Sequence, residues 1–248
     1  MKSKLNIRSN FNKAAATYDQ YCKIQNEICD YSIEMLLHHD RHFDYIADIA
    51  CGTGESTKKL IQTVRYNQCV AIDFSENLLI QAKKKLNNNA ITFICSDFDF
   101  PIFKKPFFDL IFCNMGLQWS FGFYKTIGWL HQYLLTNGWL LFSLPLSDNF
   151  PEIHSDFKLE LLGHESIIRA LNDQQFILAK QDKISISNCF FNPIEVLRSL
   201  KRIGANYSKS KAHHAQSGLS RINIKKIFVE PASTQLTYNI GIYLAVKS

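Results

Sequence analysis

Long apolar runs are missing from this chain of 248 residues. No stretch of 18 or more apolar residues occurs, so the sequence offers no membrane-spanning helix and no membrane partner is expected. The opening residues Met-Lys-Ser-Lys-Leu-Asn lack an apolar secretory segment. Cysteine pairs at redox or zinc spacing are missing too. The seven cysteines (22, 29, 51, 69, 95, 113 and 189) include no Cys-x-x-Cys, and three fall in or beside apolar, strand-like runs. An odd set of buried-looking thiols fits a reducing cytoplasm and excludes a disulfide framework. The pairs His38-His39 and His213-His214 have no second ligand pair at metal spacing, so no metal is expected. Repeats and low-complexity tracts are absent. What remains is a chain near the upper length for one domain, with 46% apolar residues to form its core.

The stretch Tyr45-Ile-Ala-Asp-Ile-Ala-Cys-Gly-Thr-Gly-Glu55 carries the most information. It reads as a short buried strand that turns sharply into a loop with Gly52 and Gly54, then a helix over Ser56 to Val64. Glycines there allow backbone angles closed to other residues and let a ligand approach the main chain. Asp48 precedes the turn, and a second strand-like run, Cys69 to Ile72, ends in Asp73. Strand, glycine turn, helix and a strand ending in an acid is the layout of nucleoside binding in a doubly wound sheet. A dinucleotide fingerprint needs a third glycine, and Thr57 stands there instead.

The shorter Asp48-x-Ala50-x-Gly52-x-Gly54 form resembles motif I of the class I S-adenosylmethionine-dependent methyltransferases. The resemblance implies a Rossmann-like α/β fold: a mostly parallel seven-stranded sheet with helices on both faces, an N-terminal helical lid and a helical insertion after the fifth strand. It makes Asp48 the acid for the cofactor's amino group and Asp73, followed by Phe74, the acid for its ribose. The loop Ala50, Gly52 and Gly54 would pack along the methionine moiety, with Ala50 replacing the family's usual first glycine. Ile91 to Cys95 reads as a third strand leading into Asp97 and Phe98, which the resemblance places at the adenine. Phe107 to Cys113 reads as a strand buried on both faces, with Asn114 at its carboxyl edge, where ligands bind in such sheets.

A coarse pass gives one domain over 1–248. Residues 11–40 form the helical lid, with Ile24, Ile28, Tyr31 and Met35 at helical spacing, and 45–143 the cofactor core. Within the core, a helix over Tyr124–Leu135 precedes a fifth strand over Gly138–Ser143. Residues 145–220 read as a substrate- and carrier-binding insertion with helices near Ile153–Leu162 and Pro193–Ile203. A last strand spans 236–246, antiparallel by analogy with the family.

Three further segments resemble the malonyl-acyl-carrier-protein O-methyltransferases of biotin synthesis: Phe11 to Tyr18 with Gln25, Asn114-Met-Gly-Leu-Gln-Trp119, and Leu197-Arg-Ser-Leu-Lys-Arg-Ile-Gly-Ala205, supported by Leu236 to Asn239. Arg202 stands where that family often has glycine. The resemblance implies methyl transfer from S-adenosylmethionine to the free carboxylate of a malonyl thioester on acyl carrier protein, or on coenzyme A. A quinone or other small acceptor is the alternative, and RNA a third. No general base is expected, because a carboxylate with a pKa near ~4 is already ionised at neutral pH. Alignment and exclusion of water remain for the enzyme to supply.

The helix after Asn192 offers a cation for the malonyl carboxylate. Asn192 suits an N-cap, Pro193 the first helical position and Gly204 the stop. Ile194, Leu197, Leu200 and Ile203 would face the core, leaving Arg198, Lys201 and Arg202 on another face. Arg198 is the candidate carboxylate clamp; a solvated basic face is the alternative. From Arg198 to Lys226 there are eight Lys or Arg and no acid, which would steer an acidic carrier protein. Nucleic acid is disfavoured, since Tyr207 alone offers a stacking ring before Phe228. Tyr18 reads as a positioning residue for cofactor or substrate, or as lid packing. Trp119 reads as pocket wall or core, and Gln25 as a supporting polar group or helix surface.

Overall fold

The computed structural model describes residues 2–37, 41–203, 227–230 and 234–248. Strands β1 (His42–Ile49), β2 (Arg65–Asp73), β3 (Ile91–Cys95), β4 (Phe108–Asn114) and β5 (Leu134–Pro145) are joined by helices α4 (Glu55–Thr63), α5 (Glu76–Lys85) and α6 (Phe123–Tyr133), which follow β1, β2 and β4, while a loop joins β3 to β4. Helices α1 (Lys2–Ala14), α2 (Tyr18–Tyr21) and α3 (Lys23–Glu34) precede them. After β5 come α7 (His164–Asp173), β6 (Phe176–Cys189), α8 (Pro193–Arg202) and β7 (Gln235–Lys247).

The seven strands order as β3-β2-β1-β4-β5-β7-β6. The first five are parallel, and β7 is antiparallel to both β5 and β6. Alternate residues face opposite sides of a strand. Ala47, Ile111, Leu140 and Phe142 therefore pack into one core layer with α6 and α7. Ile46, Leu110, Phe112 and Leu141 pack into the other with α3 and α4. The order of strands reverses between β1 and β4, which run parallel, and this opens a crevice at their carboxyl ends.

Several segments differ from the sequence reading. The N-terminal helices begin at Lys2 instead of residue 11, and Tyr18 opens α2. Ile24, Ile28 and Met35 are buried, but Tyr31 is 43% exposed. The span 145–220 is not wholly an insertion, because α7 and the sheet strand β6 lie within it. Only a short 3₁₀ turn, Ser155–Phe157, stands where a helix over Ile153–Leu162 was expected. β6 escaped notice because it is an edge strand bearing Lys180, Gln181, Asp182 and Lys183, so its outer positions are polar and lack a clean alternation.

In α8 the Asn192 side chain caps the Glu195 amide at 3.0 Å, with Pro193 in the first turn. Its buried face centres on Val196, with Leu197, Leu200 and Ile203 beside it, while Ile194 is 38% exposed. A strict three-residue spacing drifts around a helix of 3.6 residues per turn, so its first member rotates out to solvent. Gly204 and the basic residues from Lys209 to Lys226, with Tyr207, His38, His39, His213 and His214, lie outside the described residues.

Candidate functional site

The turn after β1 contains three left-handed residues, Ala50 (φ 60°), Gly52 (57°) and Gly54 (83°). Gly54 packs so tightly on α5 that a Cβ would lie 2.9 Å from Leu86 Cδ1 and 3.1 Å from Ala82 Cβ. Gly52 is different: a Cβ there would meet nothing within 4 Å, so its main chain faces open space. The amide of Cys51 donates to Ile72 O at 3.0 Å, tying the turn to β2.

Two acids hold this turn. Asp48 is fully buried, and its Oδ2 accepts from Ser56 Oγ at 2.7 Å and Thr57 Oγ1 at 2.6 Å. Its Oδ1 is buried without a hydrogen-bond partner. Burial pushes its pKa up to about 7 against those two hydroxyl bonds. Asp73, 4% exposed, accepts from Gly52 N at 2.9 Å and Ser75 N at 2.8 Å. Burial lifts it to about 6, opposed by backbone N–H donors from Ser75, Gly52 and Phe74.

A narrow cavity of about 40 Å³ lies over the turn. Tyr18, Gln25, Ala50, Gly52 and Asn114 are among its walls. Gln25 Oε1 is a second buried acceptor without a partner. Asn114 ties the walls together, accepting from Ser143 Oγ at 2.7 Å and donating to Gln25 O at 2.9 Å. Burial pushes the Tyr18 phenol well above the usual tyrosine range, so it stays protonated. Along the same edge of the sheet, past the carboxyl ends of β2 and β3, a wider cleft of about 570 Å³ has Phe74 and Asp97 in its walls. Phe98 is 8% exposed just below.

The remaining candidates lie elsewhere. Trp119 is 9% exposed and packs edge-on against Phe11 at 5.5 Å, which makes it core that supports α1. Arg198, Lys201 and Arg202 are exposed on α8 and border neither cleft. The Arg202 guanidinium lies 4.5 Å from the Tyr21 ring, so the residue that replaces the family's glycine props α8 on the lid. Arg198 has no ion-pair partner among the described residues.

Sequence reasoning missed four groups. Thr57 was noted only as a missing glycine, yet it is a hydrogen-bond donor to Asp48. Asp19 of α2 accepts from Thr53 of the glycine loop and pairs with Lys85 at 2.9 Å. Gln118 Oε1 is buried without a partner, one residue from the Trp119 that was noticed. Lys4 reaches Asp97 and Asp99, with no local signal to announce it.

Two orphaned acceptors beside a glycine turn call for a donor-rich cation such as an ammonium group. Asp73 and the apolar wall of Phe74 suit a ribose and a flat base further along. The residues thus fit an amino acid joined to a nucleoside. Among the described residues no group of three His, Cys, Asp or Glu is placed to hold a metal ion, and all seven cysteines are free thiols. No helix among them is long and apolar enough to cross a membrane.

A methyltransferase-domain family model matches residues 46–138. The chain is 40% identical over 247 residues to malonyl-[acyl-carrier protein] O-methyltransferase 2 of Coxiella burnetii, covering 98% of this chain and 96% of that one. It is 28% identical to malonyl-[acyl-carrier protein] O-methyltransferase of Priestia megaterium, covering 86% and 85%. Among solved structures, the N-methyltransferase NodS of Bradyrhizobium japonicum in complex with S-adenosyl-L-homocysteine superposes with a TM-score of 0.63 at 12% identity, covering 98% of both chains. A putative methyltransferase of Bacillus halodurans gives 0.64 at 14% identity, covering 88% of this chain and 97% of the other. At such identities these two structures speak to the fold.

Proposed function

The chain belongs to the malonyl-[acyl-carrier protein] O-methyltransferase family, and from that premise we propose that it methylates the free carboxylate of malonyl-acyl carrier protein. The product is the malonyl methyl ester that begins the pimeloyl chain of biotin. S-adenosylmethionine is the methyl donor, and when bound it supplies an electrophilic methyl on a sulfonium sulfur. The observation that carries this reading is the pair of orphaned acceptors, Asp48 Oδ1 and Gln25 Oε1, beside the open face of Gly52 in a chain with full-length relatives of that name.

In this reading Asp48 and Gln25 hold the donor's ammonium, and Ala50, Gly52, Gly54 and Asn114 wall its amino-acid part. Asp73 accepts from the ribose hydroxyls. Phe74 packs on the base, the Asp97 carboxylate accepts from its exocyclic amine, and the Phe98 amide meets a ring nitrogen. Tyr18, protonated and half-buried at the narrow end, excludes water from the methyl and keeps a phenol donor for the incoming carboxylate. No residue need remove a proton, since the malonyl carboxylate arrives ionised. Holding oxygen, methyl and sulfur in line supplies several kcal/mol, on the order of 7 or more in well-aligned cases.

Arg198 binds that carboxylate in this proposal, and Lys201 and Arg202 add positive charge toward the acidic carrier. The support is a charged guanidinium without an ion-pair partner among the described residues, on a helix that leans on α2 through Arg202 and Tyr21. Incubation with S-adenosylmethionine and malonyl-loaded carrier should add one methylene mass to the carrier in intact-protein mass spectrometry. Acetyl-loaded carrier should gain nothing, malonyl-coenzyme A should react less efficiently, and Arg198→Ala should need about tenfold more malonyl carrier. An unmodified malonyl carrier, with cofactor still bound, would discard this acceptor.

The raised acids also predict a pH dependence. An ammonium beside Asp48 favours its ionised form, so donor binding expels a proton below about pH 7. Affinity for S-adenosylhomocysteine should therefore rise from pH 5.5 to 7.5, by up to about tenfold per unit on the acid side, and level off above. The unliganded protein shows the opposite sign. Both acids hold protons more tightly folded than unfolded, so their contribution to stability declines as pH climbs from about 4 through 7. Calorimetric titrations of native protein and Asp48→Asn check the binding profile, and an equal slope in both would remove Asp48 from the ammonium site.

A further inference from the structure

Helix α1 lies across the cofactor crevice and is anchored at its first turn by an unusual lysine. The Lys4 ammonium sits 3.1 Å from Asp97 Oδ1 and 2.6 Å from Asp99 Oδ2, and donates to Trp119 O at 3.0 Å. The rings of Phe98, Phe121 and Phe74 surround it at 4.8, 5.2 and 5.8 Å from their centroids. Its side chain is 13% exposed. Three acceptors for three donors, inside an aromatic box, make this a built site and not a solvated surface charge. Asp99 in turn accepts from Ser120 Oγ, Phe121 N and Thr126 Oγ1. Burial alone would raise its pKa, yet the Lys4, Phe121 and Ser120 bonds hold it below the usual carboxylate range. The other charges on this cleft are Arg8 of α1 and Lys125 of α6.

With α1 in place the part of the site at Asp73 is covered. Ile7 is 1% exposed and Phe11 8%, and Phe11 packs edge-on against Phe74 at 5.9 Å. Asn12 accepts from Ser75 Oγ at 2.6 Å, two residues from Asp73, which is itself 4% exposed. The cavity over the glycine turn, about 40 Å³, has room for a few waters and not for a nucleoside. A nucleoside reaches Asp73 only if α1 lifts, and the wide cleft where it would enter is the end that Lys4 fastens. Lys4 also selects which oxygen of Asp97 is available. Oδ1 is taken by the ammonium and by the Asp99 amide at 3.0 Å, while Oδ2 has no partner among the described residues.

We propose that Lys4 is a cofactor-positioning residue that acts through Asp97 and is the latch of a lid formed by α1: its ion pairs open to admit the nucleoside and re-form to hold it, turning Asp97 Oδ2 toward the exocyclic amine of adenine. The proposal rests on the reading of Asp97 as the adenine acid.

Stopped-flow tryptophan fluorescence with S-adenosylhomocysteine tests it, using native protein, Lys4→Met, which keeps the length without the charge, and Lys4→Arg. In Lys4→Met the ligand should dissociate at least tenfold faster, and Lys4→Arg should stay within about threefold of native. Raising NaCl from 50 to 500 mM should speed release several-fold from native protein and leave Lys4→Met unmoved. Discrimination against S-inosylhomocysteine, whose oxygen replaces the exocyclic amine, should shrink at least fivefold in Lys4→Met, a change that simple packing loss would not produce. Native release rates, salt response and discrimination in a folded Lys4→Met would overturn the proposal while leaving the cofactor reading standing. Should that variant not fold, hydrogen exchange of residues 4–14 in native protein decides: protection by the ligand supports the lid, and no change sinks it. Failure of native protein to bind the ligand at all would remove the cofactor reading and the latch together.

Discussion

Asp73→Ala should lose S-adenosylhomocysteine affinity by about 100-fold in isothermal titration calorimetry. A carboxylate accepting from neutral hydroxyls contributes about 1.5–3 kcal/mol per bond, and 100-fold corresponds to about 2.7 kcal/mol. Asp73 also accepts the amides of Gly52 and Ser75 inside the protein, so the alanine leaves two buried donors unpaired. Each costs about 1–3 kcal/mol, and the melting temperature should fall by roughly 5–12 °C for a chain of this size. Asp73→Asn keeps an acceptor oxygen and should recover most of the stability without most of the affinity. Affinity unchanged in both variants would end the ribose assignment.

Gly116→Ala should destabilise the protein by about 3 kcal/mol without touching any ligand. Gly116 has an ordinary φ of −114°, so backbone freedom is not what it supplies. An added Cβ would lie 2.5 Å from Ala50 Cβ and 2.7 Å from Cys113 Sγ, and neither atom ends a flexible chain. Ala50, at φ 60°, is the residue that replaces the family's usual glycine, so its methyl fills the space that Gly116 leaves. Adding Ala50→Gly should restore at least 1 kcal/mol by removing the contact with Ala50 Cβ, the nearer of the two, and a strained left-handed alanine, while the Cys113 contact stays. Urea unfolding of the two single variants and the double variant measures the coupling; strictly additive losses would refute the steric pairing.

The same pair of residues shows why the sequence was readable in one half of the molecule. Motif I, the acid ending β2 and the acid after β3 are each local demands. A left-handed turn requires small residues, and an acid must sit where its own strand ends, so spacing along the chain carries the geometry. The carboxyl halves of β1 and β2, and most of β4 and β5, are buried on both faces and announce themselves as apolar runs. β6 faces solvent along one edge and tolerates lysines, so its pattern is nearly blank. The proposed acceptor side is weaker still, because the basic run after Ile203 falls outside the described residues.

By itself, then, the sequence determined a doubly wound sheet, the glycine turn with its flanking acids and the resemblance from which the family follows, while the strand-order switch beside β1 came from the structure. Tertiary structure alone decided that Thr57 binds Asp48, that Asp48 and Gln25 each keep one unsatisfied oxygen, and that Lys4 fastens α1 to acids 93 and 95 residues away. The reason is physical. A hydrogen bond within a turn is dictated by neighbouring residues, whereas an ion pair across the crevice exists only once two packed faces have brought its partners within about 3 Å.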